Sequence, residues 1–160
     1  MIDDLLRPPA TLAAVTADAV RGAALLSVLA ALLWWGPVDT AVLLLVLGGV
    51  LLSRMVRVDP RVDAAYGVAL LVAAWSSIGG VYELISWWDL AIHTLTTAAI
   101  APIAYLLLVR LRYLQPAGHG TREAAGVTIV TLALGITLSV VWEFAEWAGY
   151  TYITSVINVG

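Results

Sequence analysis

Two segments carry the residues of this chain best suited to chemistry: Trp88-Asp89-Leu90-Ala91-Ile92-His93 and Trp142-Glu143-Phe144-Ala145-Glu146-Trp147. Asp89 and His93 are four apart, and Glu143 and Glu146 three apart, so on helices each pair shares a face. Three carboxylates and an imidazole around one point form a ligand set for a divalent Zn, Mn, Fe or Ni ion. Helix-borne Glu-x-x-Glu pairs also match the spacing of carboxylate ligands in helical-bundle metal sites. The expected helix ends shortly after Glu146, and its partly negative carboxyl end repels both acids. The pair therefore needs a cation, a shared proton or a hydrogen-bond donor.

The same residues have plainer uses. Asp89, following two tryptophans, has the type and place of an N-cap. His93 can hydrogen-bond a neighbouring carbonyl, and the glutamates can be solvated acids among lipid headgroups. Glu83, beside Tyr82 and one turn before Trp87, reads as part of an interfacial anchor. The coincidence of four such residues leads us to expect that Asp89, His93, Glu143 and Glu146 converge on one metal site.

Whatever positions these residues must be membrane helices. The chain has 160 residues, enough for one domain, and is 62% hydrophobic with only 12% charged residues and a mean hydropathy of +0.96. That is too apolar for a soluble fold of this size and predicts an all-α, polytopic membrane bundle. A net charge of −3 without a basic cluster argues against a nucleic-acid partner. The absence of cysteine excludes disulfides, thiolate ligands, iron–sulfur clusters and covalently attached haem. All eight basic residues are arginine, which with the Ala, Val and Leu richness points to a GC-rich bacterial genome.

About five spans are expected: 18–35, 38–52, 64–86, 89–110 and 122–148. Residues 1–16 read as a peripheral segment, 17–149 as the transmembrane domain and 150–160 as an external interfacial tail. The start lacks a basic region leading directly into an apolar core and a small-residue cleavage site, so the first apolar run is expected to remain as a span. Gly48-Gly49 suggests a close helix contact, and Ala69 and Ala73 have small-xxx-small spacing. Gly79-Gly80 is expected to loosen the third span and Pro102 to kink the fourth. Of the seven tryptophans only Trp75 should lie deep, the others forming interfacial belts.

Orientation follows from the arginines. Arg7, Arg54, Arg57, Arg61, Arg110, Arg112 and Arg122 fall on the side of the amino terminus, with Arg21 just inside the first span, and the opposite loops hold none. The positive-inside rule then predicts a cytoplasmic amino terminus and an external carboxyl terminus. Glu83, Asp89, His93, Glu143 and Glu146 thereby reach one level on the external side. The middles of the spans carry hydroxyls but no ionisable group, which argues against a proton or ion pump within one protomer. His93 is external and His119 lies in a cytoplasmic loop, so bis-histidine haem is not expected, and no G-x-S-x-G nucleophile motif is present.

Between residues 78 and 150 the chain resembles the YjdF-like family of bacterial inner-membrane proteins of unknown function. That family pairs a Tyr/Trp-Asp-x-x-x-His segment at the start of one membrane helix with Glu-x-x-Glu-Trp at the end of the next. Here these read Trp88-Asp89-Leu90-Ala91-Ile92-His93 and Glu143-Phe144-Ala145-Glu146-Trp147. Where the family usually has Phe-x-x-Gly after its histidine, this chain has Thr94-Leu95-Thr96-Thr97, and the family's later Asp-Thr-x-x-Asp segment is not found before Gly160. The resemblance implies a multi-pass protein of the bacterial plasma membrane and supports a site without naming a reaction.

The expected function is divalent-metal binding at the external membrane face. If the site is catalytic, a metal-dependent, hydrolase-like reaction is the simplest chemistry for such ligands. The rival is a non-catalytic structural or accessory subunit of a membrane complex, or an oligomeric transporter. The partners are the lipid bilayer and, in those readings, further copies or a larger complex.

Overall fold

The computed structural model describes residues 2–116, 118 and 120–153, all in helices or their connections. His119 and residues 154–160 of the expected tail lie outside this range. The helices are α1 (Ile2–Leu5), α2 (Leu12–Trp34), α3 (Pro37–Met55), α4 (Pro60–Ile78), α5 (Val81–Leu84), α6 (Trp88–Arg110) and α7 (Thr121–Tyr152).

Local chemistry sets the boundaries. Thr11 caps α2 by accepting from the Ala14 N–H at 3.2 Å, so the helix begins six residues before the expected span. Arg21, expected just inside the membrane, consequently lies more than two turns into α2. Pro37 and Pro60 open α3 and α4 at positions where a missing N–H costs nothing. The expected third span breaks at Gly79-Gly80. Gly80 takes φ 67°, a left-handed turn that glycine adopts without steric cost, and the chain restarts as α5. α6 passes through Pro102 as one helix.

Among the described residues four helices, α2, α3, α6 and α7, are long and apolar enough to cross a membrane. α4 equals α3 in length but carries Arg61, Asp63, Tyr66 and Trp75. It still runs the height of the bundle, with Asp63 bound to Arg21 at one end and Trp75 stacked edge-on against Trp35 at the other, ring centroids 5.3 Å apart. It packs against α2, α3 and α6, so its neighbours shield much of its surface from lipid. Trp75 therefore belongs to the last turn of α4 and to the tryptophan end, not to the deep interior.

The core follows a coiled-coil rhythm. α2 buries Ala17, Arg21, Ala24, Val28 and Ala31, alternate steps of four and three. Ala24, Ala31 and Leu43 have no exposed surface, and small residues bring the backbones close where lipid supplies no hydrophobic drive. Gly49, though not Gly48, makes the expected close contact, against Tyr66 and Leu70 of α4.

At the arginine-rich end the bundle is tied by charge. Arg21 binds Asp63 and Asp18, Arg54 binds Asp18, and Ser53 Oγ donates to Asp63 at 2.6 Å. Arg21 also donates through Nε to the Val50 carbonyl at 2.9 Å. α1 is drawn onto this end because Asp4 pairs with Arg57 of the α3–α4 turn and with Arg110 of α6. α7 packs chiefly against α6.

Candidate metal centre at the tryptophan end

α6 and α7 run antiparallel, and their contact is a ladder with four-residue rungs. His93 meets Glu143, Thr97 Oγ1 lies 2.9 Å from Ser139 Oγ, and Ala101 packs on Gly135. A Cβ placed on Gly135 would stand 3.2 Å from Ala101 Cβ, so the close approach uses the bare glycine. Positions 93, 97 and 101 descend α6 as 143, 139 and 135 descend α7, which holds the histidine and glutamate level.

The four sequence-predicted site residues come together at this end, though not all in one ligand-sized group. His93 Nδ1 lies 3.1 Å from Glu143 Oε1, and His93 Nε2 lies 3.4 Å from Asp89 Oδ1. Ligand atoms of His93, Glu143 and Glu146 all fall within 4.8 Å of one another. Asp89 is outside that trio and backs the far side of the imidazole. Neither is it the N-cap of α6, which is Trp87 and makes no side-chain cap bond. The helix is instead secured at this end by Trp88 Nε1, which donates to Ser76 Oγ of α4 at 2.9 Å.

Both imidazole nitrogens thus face carboxylates. A neutral ring has one N–H and can donate to only one of them. A metal ion, or a proton placed on the ring or on a carboxyl group, would satisfy the second contact. The His93 side chain is 24% exposed and that of Glu143 60%, so the cluster is open to ions from the surface.

In the structure the dipole of α7 gives little reason for a counter-charge. α7 continues to Tyr152, leaving Glu146 more than a turn from its end, and the dipole acts within the final turn. Tyr150, Thr151 and Tyr152, the first residues of the expected tail, are helical and continue α7. Mutual proximity of the two acids and Asp89 now supplies the repulsion. Glu83, on α5, is exposed and stands apart from the trio.

Two contributors were not singled out in the sequence, and a third has a different part there. Ser139 and Gly135 carry the lower rungs of the ladder, and their signal was available as successive steps of four from Glu143. Tyr82 of α5, which lies between the membrane-spanning helices, reads in the sequence as part of an anchor. Burial first, then the charges of Asp89 and Glu146, push its phenol up to about 12, and its hydroxyl donates to the Ala73 carbonyl at 3.2 Å. A neutral phenol therefore flanks the acids on the α5 side.

The family model for predicted membrane proteins termed DUF2238 matches residues 13–156, and the chain belongs to that family. The resemblance to YjdF-like proteins agrees with this membership. No curated protein and no solved structure matches the chain.

Proposed function

We propose that this member of the DUF2238 membrane family binds a divalent metal ion through His93 Nδ1, Glu143 and Glu146, with Asp89 orienting the imidazole through Nε2. The observation that carries the reading is the convergence of three ligand atoms within 4.8 Å on facing helices. Tetrahedral ligands at about 2.0–2.2 Å from zinc stand roughly 3.4 Å apart, so modest rotation of the glutamates closes the set. A carboxylate behind a metal-binding histidine fixes its tautomer and raises its basicity, the part Asp89 is placed to play.

The arginine distribution supports a bacterial inner-membrane protein with its amino terminus inside and this site outside. Three protein ligands leave a coordination position open, as catalytic rather than closed structural sites do. A hydrolase-like activity on a membrane-linked or periplasmic substrate fits that opening. One observation favours a second reading: the direct 3.1 Å contact of His93 and Glu143 is also that of an imidazolium–carboxylate pair. In that case the cluster fastens α7 to α6 in a structural or accessory subunit.

Elemental analysis of protein purified without added metal separates the two. About one equivalent of Zn, Mn, Fe or Ni is expected, lost in His93→Ala and Glu143→Gln variants that still fold. Metal-free protein whose thermal stability does not respond to any of these ions would overturn the metal reading and leave the ion pair.

A further inference from the structure

A second polar feature lies at the opposite end of the bundle. A cavity of about 320 Å³ opens between the segment Arg7–Thr11 and the turn joining α3 to α4. Arg7, Arg54, Arg57, Asp59 and Asp63 are among its lining residues. Arg54 and Asp63 are only 8% and 6% exposed, so the cavity has a buried, charged floor.

Its charges are unequally committed. Asp63 is held by Arg21 and Ser53, and Asp59 accepts from the Arg61 N–H at the start of α4. Arg54 is taken up by Asp18 and by the carbonyls of Leu5 and Arg7. The remaining donors belong to two arginines. Arg57 engages Asp4 through Nε, which leaves the rest of its fork, and among the described residues no ion pair takes up the Arg7 side chain. Arg57 also sits at φ 61°, a left-handed conformation that is strained for a residue with a Cβ and not for glycine. α2 and α4 both begin at the cavity wall, so the positive ends of two helix dipoles add to the arginines.

We propose that this cavity binds a phosphate group, contributed by the headgroup of an anionic phospholipid in the leaflet at the arginine-rich end. Planar guanidinium forks match phosphate oxygens in geometry and charge. Leu6 and Leu12, 80% and 83% exposed on either side of the Arg7–Thr11 segment, suit acyl chains better than water. Basic pockets between membrane helices on the arginine-rich side are the physical form such recognition takes. The lipid would bridge the amino-terminal segment to the α3–α4 turn at a distance from the metal cluster.

The test is thermal unfolding of the full chain in neutral detergent, titrated with phosphatidylglycerol, phosphatidylcholine or inorganic phosphate. Saturable protection by phosphatidylglycerol alone is expected. Arg7→Gln should raise its half-saturation point roughly fivefold or more, by the loss of one headgroup-directed charge. Arg57→Gln should do the same but also breaks the Asp4 pair, so Arg7→Gln is the deciding variant. Arg112→Gln, at the same end but outside the cavity lining, should leave the titration unchanged. Equal weakening in Arg7→Gln and Arg112→Gln, or no saturable effect of phosphatidylglycerol, would overturn the site. Equal protection by inorganic phosphate would keep a phosphate site and overturn its lipid source.

Discussion

At the residue scale, the types and spacings at positions 89, 93, 143 and 146 were enough to expect a common site. They did not reveal how the roles divide. Spacing puts Asp89 and His93 on one face whether both are ligands or one supports the other, and only the ring's orientation between Asp89 and Glu143 distinguishes these. The proposed division has a quantitative consequence. Asp89→Asn should retain metal with about 10- to 100-fold weaker affinity, as for loss of a supporting carboxylate, whereas Glu143→Gln removes a ligand. Calorimetric titration of both variants with the native metal checks this, and equal loss in the two would return Asp89 to the ligand set.

At the element scale, the antiparallel ladder between α6 and α7 explains why two segments fifty residues apart arrive level. The rungs were hard to read because Thr97, Ser139 and Gly135 look like ordinary small residues of membrane helices, and only pairing across helices gives them meaning. Gly135→Val should destabilise the protein by about 1–3 kcal/mol, since the Ala101 contact leaves no room. Gly126→Val on the same helix meets nothing within 4 Å and should leave stability nearly unchanged. Chemical unfolding in detergent distinguishes them. A double-mutant cycle on Thr97→Val and Ser139→Ala should return a coupling of about 0.6 kcal/mol, the ordinary worth of an interhelical hydrogen bond in a membrane. The break at Gly79-Gly80 was visible as a glycine pair, but α5 and the placement of Tyr82 depend on how the chain folds back over α4.

At the scale of the whole molecule, composition and long unbroken apolar runs were sufficient for a helical membrane bundle, because in lipid such runs satisfy their backbone groups as helices, whereas barrel strands are short and alternate. What composition hid was the binding of the arginine-rich end. Arginines such as Arg21 and Arg54 mark orientation in the sequence, yet in the fold they also tie α2, α3 and α4 together through Asp18 and Asp63. Asp63→Leu leaves Arg21 without its main partner and should cost about 3–5 kcal/mol in thermal or chemical unfolding. The amino-terminal tie depends on pH with a definite sign. The hydrogen bond from Arg57, then the charges of Arg57 and Arg110, hold the Asp4 carboxyl below the usual carboxylate range, against an opposing burial effect. Its stabilisation is therefore full above the ordinary carboxylate pKa and is lost as pH falls through the lower folded value. Amide exchange across residues 2–7, corrected for intrinsic pH dependence, should rise at acid pH in the native protein. In Asp4→Asn it should already be high at neutral pH.

α7 rests chiefly on α6, and the candidate metal centre lies on that seam. An ion that binds only when the two helices are together must, by mass action, hold them together. A concentration one hundred times the dissociation constant would add about 2.7 kcal/mol to their association. The longest helix of the protein would then act as an arm whose docking reports the metal content of its surroundings, and chelation would release it without unfolding the α2–α4 core.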